Sequence, residues 1–73
     1  MTNTLKLKAK LAEYGLSQTT IAEMIGISYQ AFNNKLNNRM LSNGKRAEFK
    51  VSEIEPLCKL LNIKDKDSYF FYN

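Results

Sequence analysis

Tyr29, Gln30, Asn33 and Asn34 put four hydrogen-bonding side chains within six positions, spaced to share one face of a helix. A carboxamide offers a donor and an acceptor side by side, the pattern that matches N6 and N7 of adenine in the DNA major groove. Gln30, Asn33 and Asn34 are therefore candidates for base contact, while Tyr29 could bond a phosphate or pack on a thymine methyl. Asn is a weak helix former, so a short helix carrying two of them gives up stability for surface chemistry. The plain alternative is a solvated polar face. Lys35, Arg39, Lys45 and Arg46 follow closely and would supply phosphate attraction independent of sequence. Upstream, Gln18 and Thr19 open a predicted helix, and the unpaired N–H groups of a helix start bind phosphate oxygens. The Gln18 amide could bond a phosphate and also steady the start of the next helix. Otherwise Gln18 and Thr19 are ordinary solvated first-turn residues.

These side chains need two helices and a turn to hold them. Ser17 is a good N-cap for a helix over 18–25, with Ile21, Ala22 and Ile25 turned inward. Gly26 can take the positive φ of a sharp helix-ending turn. Ser28 caps a helix over 29–36 with Phe32 and Leu36 inward. A small Ala22 lets the second helix of this pair cross close over the first, and Ile27 and Phe32 pin it down. This spacing predicts a helix-turn-helix over about 17–37, whose second helix enters the major groove and places Ser28, Tyr29 and Gln30 near its start.

The flanking segments read less evenly. Residues 5–11 alternate apolar and basic, but Leu7, Leu11 and Tyr14 fall on one helical face and Gly15 stands at a cap, so a helix is predicted. Lys6 and Lys10 then share a face toward solvent or phosphate. Residues 38–50 form an extended basic loop in which Asn43-Gly44 signals a tight turn. A small β-hairpin and a mobile loop both fit it. Ser52 and Glu55 have capping-box spacing, with Pro56 still in the first turn. Ile54, Leu57, Cys58 and Leu61 make the inward stripe of a fourth helix, about 52–62. Residues 65–73 are a polar turn and an aromatic tail. Phe70 and Phe71 are expected to complete the core, while Tyr69 and Tyr72 fit either core or an interface.

Length and composition exclude several classes. At 73 residues the chain is expected to be one domain, 1–73, with one small core and no deep cofactor cleft. It has no histidine and one cysteine, Cys58, so no internal disulfide, no catalytic constellation and no metal site are expected. Cys58 lies in an apolar stripe and reads as core. Glu53 and Glu55 read as helix-start acids rather than catalytic ones. No segment is long and apolar enough for a membrane span or a signal peptide, so a cytoplasmic protein without membrane contact or small-molecule substrate is expected. The net charge is +4, and it divides unevenly: residues 1–46 hold seven bases against two acids, residues 47–73 four against five. The positive half carries the helix-turn-helix, which suits a polyanion.

Gln18, Ala22, Gly26, Ile27, Ser28 and Phe32, followed by Lys35-Leu36-Asn37, resemble the lambda-repressor-like helix-turn-helix superfamily, most closely its small phage Cro-type regulators. The stretch from Ser52-Glu53-Ile54 through Leu57-Cys58-Lys59-Leu60-Leu61 to Tyr69-Phe70-Phe71 resembles the closing part of that group. The resemblance implies an all-α bundle of four to five helices that binds double-stranded operator DNA, usually as a homodimer, in a phage lysogeny switch. It implies base contact at Ser28, Tyr29, Gln30, Asn33 and Asn34, and phosphate contact at Gln18 and Asn37. It implies no enzyme activity and no cofactor, and it places the protein with the nucleoid in the bacterial cytoplasm. Asn38 stands where the family usually has glycine, and Asn tolerates a left-handed backbone. The segment 39–50 is longer than usual. Two further roles fit the same fold: an antirepressor or corepressor that binds a partner repressor through Tyr69, Phe70, Phe71 and Tyr72, and the antitoxin of a toxin–antitoxin pair.

Overall fold

Among the described residues, four of the five helices end in the same way, and these endings set the path of the chain. The computed structural model describes residues 1–72; Asn73, the last residue of the predicted tail, lies outside them. The helices are α1 (Thr4–Glu13), α2 (Gln18–Ile25), α3 (Tyr29–Leu36), α4 (Val51–Leu60) and α5 (Lys66–Phe70). No strand occurs among the described residues, and the fold is a small all-α domain. After each of α1 to α4 one residue turns left-handed: Gly15, Gly26, Asn38 and Asn62, with φ of 65°, 79°, 54° and 52°. The following N–H then reaches back five residues along the chain, as Ile27 N does to Ala22 O at 3.0 Å and Arg39 N to Asn34 O at 3.0 Å. These are Schellman endings, which satisfy carbonyls that a helix end leaves open. Gly26 and Asn38 take the roles the sequence assigns them. The starts are equally local: Ser17 Oγ accepts from Thr20 N and Ser28 Oγ from Ala31 N, both at 3.1 Å.

The start of α4 corrects the expected capping box. The helix begins at Val51, not after Ser52, and Glu53 supplies the cap: its Oε1 accepts from Lys50 N at 2.9 Å. Glu55 is exposed. Pro56 is thus the sixth helical residue and lies past the first turn, leaving the Ser52 carbonyl without its usual donor. An acid three residues after the N-cap wins because it alone reaches back to that backbone N–H.

Leu7, Leu11, Ile21, Phe32, Leu36, Leu57 and Leu61 form the heart of the core, joined by Phe49, Ile63 and Phe70. Tyr14, expected on the inner face of α1, is exposed because α1 has ended before it. Phe49, from the irregular stretch before α4, stacks edge-on against Phe32 and Phe70, with ring centroids 5.4 and 5.6 Å apart. It bridges α3 and α5. Tyr69 and Phe70 are buried, whereas Phe71 is 53% exposed and Tyr72 50%. Phe71 therefore does not complete the core. Tyr69 and Phe70 have taken the inward positions of α5, and Phe71 follows as its C-cap, where the helix has ended.

Between α3 and α4 the chain forms a minimal hairpin. Met40 and Arg46 make a single antiparallel bridge, Leu41 N bonds Lys45 O at 2.7 Å and Ala47 N bonds Arg39 O at 2.8 Å. Only Gly44 of the tip has positive φ, and Gly44 N bonds Leu41 O at 2.9 Å. The tip is thus a three-residue loop ending in a left-handed glycine, not the two-residue turn that Asn43-Gly44 suggests.

The N-terminal segment closes the fold. Asn38 Oδ1 accepts from Thr2 N and Asn38 Nδ2 donates to Thr2 O, both at 2.8 Å. Asn3 N bonds Tyr69 O at 2.7 Å and Tyr72 N bonds Met1 O at 2.9 Å. Residues 1–3 are held between the end of α3 and α5.

Candidate nucleic-acid interface

α3 is amphipathic by its own sequence: Phe32 and Leu36 are fully buried, which leaves Gln30, Asn33 and Asn34 around the opposite side. Gln30 and Tyr29 are exposed; Asn33 and Asn34 are half-buried. Ser28 is exposed, but its hydroxyl already serves as the cap of α3.

Asn33 is joined to the start of α2. Its Nδ2 donates to Gln18 Oε1 at 3.0 Å, which fixes both amides and leaves Gln18 Nε2 and Asn33 Oδ1 without a partner among the described residues. The Schellman turn at Gly26 makes this link achievable, because it folds α3 back across α2 within three residues. Thr19 is exposed beside Gln18 in the first turn of α2, which carries no acid. That turn offers unpaired N–H groups, a partial positive charge and an amide donor together.

The cations divide into engaged and free. Arg39 and Lys45 are exposed with no side-chain partner among the described residues. Arg46 is also exposed, and its Nη1 donates to Asn38 O at 3.2 Å. These three surround the hairpin, which flanks α3 across an open groove of about 390 Å³ lined by Ala31, Asn34, Leu41 and Ala47 among others. Lys35, expected at phosphate, is bound instead to both carboxylate oxygens of Glu53, each at 2.8 Å. It lies on the flank of α3 nearest α4, and its side chain is 15% exposed against 9% for Glu53. Burial would raise the Glu53 carboxyl. Bonds from Lys35 and the Lys50 N–H, with the charges of both lysines, outweigh it and hold the group below its ordinary value of 4.5. Asn37, also expected at phosphate, donates its Nδ2 to Asn33 O at 2.9 Å, one turn back in its own helix.

On the far side, Lys6 lies 4.7 Å over the Tyr69 ring and donates to Ser68 Oγ at 2.7 Å, while Lys10 pairs with Glu13 at 3.7 Å. That face of α1 is partnered rather than open. Burial, and to a lesser degree Glu55, push the Cys58 thiol up against the opposing pull of Lys66, so it stays protonated at neutral pH. Of the four tail aromatics, Phe71 and Tyr72 present surface. Sequence reasoning missed Glu53 as the partner of Lys35 and Asn38 as the clasp on Thr2. The start-of-helix acid in Glu53 was visible in the sequence; its second partner was not. No family model matches the chain, and neither a curated protein nor a solved structure matches it.

Proposed function

We propose that this protein is a non-enzymatic, sequence-specific regulator of transcription that reads double-stranded DNA through a lambda-repressor-like helix-turn-helix, with α3 as the recognition helix. The observation that carries the reading is the Gln18–Asn33 bond. It joins a helix start suited to a phosphate oxygen to an amide on the outward side of α3, so one phosphate contact and one base contact share a rigid link. Gln18 Nε2 donates to phosphate, Asn33 meets a base edge, and Gln30, Asn34 and Tyr29 extend the reading surface. Arg39, Lys45 and Arg46 hold the backbone beyond the C-terminal end of α3. As a Cro-like repressor of a phage switch, the protein would bind as a two-fold dimer with half-sites about 34–36 Å apart. The test is selection from random duplex DNA at physiological salt. Enrichment of an inverted repeat with that spacing supports the reading, and failure to enrich any sequence refutes it.

The adjacent exposed rings of Phe71 and Tyr72 favour a second reading, in which the tail binds a partner repressor protein. A monomer with only weak, salt-sensitive DNA binding, and with tight binding to a repressor that Phe71→Ser abolishes, would establish it in place of the first.

A further inference from the structure

Lys35 is the only charged residue of α3, and it does not act as a free cation. Its Nζ is closed off by both oxygens of Glu53, and Glu53 is anchored from behind by Lys50 N. We infer that Glu53 is a specificity-determining positioning residue: by holding Lys35 it keeps the recognition helix free of net charge, so that α3 discriminates among bases without a phosphate attraction common to all sequences. The inference rests on the DNA-reading function proposed above. A lysine one residue from Asn34, on a flexible four-carbon stem beside the basic hairpin, is well placed to reach phosphate once released. A released Lys35 is free to find phosphate in the loosely docked complex on random DNA, whereas base contacts fix the register of the specific complex, so release strengthens random binding more than selected binding. Held by Glu53, Lys35 adds nothing to random DNA.

Glu53→Gln tests this directly. Glutamine keeps the acceptor for Lys50 N and the shape of the site but removes the charge that holds Lys35. Binding is measured against a short random-sequence duplex and against the duplex enriched by selection, from 50 to 200 mM salt. The expected result is tighter binding to the random duplex and a salt slope steeper by about 0.9, which makes the loss across that range about 3.5-fold greater. The ratio of selected to random affinity falls. Structural damage alone would weaken binding to both duplexes, so a gain on random DNA separates masking from mere support of the fold. The double variant Lys35→Met with Glu53→Met removes the pair without exposing a charge, and its slope should equal the parent's. An unchanged slope in Glu53→Gln, or a slope flattened by about 0.9 in the double variant, overturns the inference while leaving the DNA-reading function intact. A parent protein that binds neither duplex at any salt refutes both.

Discussion

Replacing Asn38 should reveal how the N-terminal segment is held, and two substitutions separate the contributions. Asn38 has φ of 54° and bonds both the N–H and the carbonyl of Thr2 at 2.8 Å, while Thr2 is 4% exposed. Asn38→Gly keeps the left-handed turn without strain and deletes the amide. Two bonds at about 0.5–1.5 kcal/mol each predict a loss of about 1–3 kcal/mol. Asn38→Ala deletes the same bonds and adds a Cβ in the left-handed region, for about 1–2 kcal/mol more. Asn38→Asp keeps an acceptor for Thr2 N but sets a carboxylate against the Thr2 carbonyl, and should fall below the glycine variant. Urea and thermal unfolding give the order parent, Gly, Ala, with each kcal/mol shifting Tm by about 4–8 °C in a domain of this size. Amide exchange at Asn3, whose N–H bonds Tyr69 O, should quicken in all three variants. A glycine variant as stable as the parent refutes the clasp. Glycine and alanine variants of equal stability refute the strain at φ 54°.

Asn33→Ala should cost about 1–3 kcal/mol on the selected site and relax the preference at one base pair, and Gln18→Ala should reproduce part of that loss by releasing Asn33; equal losses on random duplex would remove both from base reading. Gly26→Ala meets nothing within 4 Å of the added Cβ, so its cost should be the backbone strain alone, about 1–2 kcal/mol by urea unfolding. The Lys35–Glu53 pair makes stability depend on acid. A carboxyl whose folded value is lowered from 4.5 contributes fully above that value and loses the contribution as pH falls through the lowered one. The drop in Tm on acidification below about pH 4.5 should therefore be smaller in Glu53→Gln than in the parent, and equal drops would mean the pair does not stabilise the folded state.

What the sequence made legible was short in range. Ser17, Gly26 and Ser28 bias their own backbone and bond within three residues, so the bounds of α2 and α3 follow from residue type alone. The Ile54, Leu57 and Leu61 stripe is equally self-announcing, because one helical period fixes its face. The hidden features all depend on closure of the chain. Lys35 finds Glu53 at a separation of 18 residues and Asn38 finds Thr2 at 36. Phe49 lies in a stretch with no period, where nothing local tells a core ring from an exposed one. Phe70 and Phe71 are chemically identical neighbours; only the end of α5, which falls between them, sorts them.

The same sorting sharpens the proposed interface into a number. The segment 29–46 reads as a uniform field of amides and bases, yet tertiary contacts commit several of them. Asn37 bonds its own helix, Asn38 bonds Thr2, and Lys35 bonds Glu53. Within 29–46 the free or lightly engaged cations then reduce to Arg39, Lys45 and Arg46. At about 0.9 per neutralised phosphate, three contacts give a slope of log K against log salt of about −2.7 per bound protomer. Lys45→Ala should flatten that slope by about 0.9 and weaken all duplexes alike, without altering base preference. A slope near −3.6 per protomer would mean a fourth cation at phosphate. If Lys35→Met with Glu53→Met then removed the excess, the ion pair would have to open on binding, and Glu53 would no longer be the residue that keeps α3 neutral.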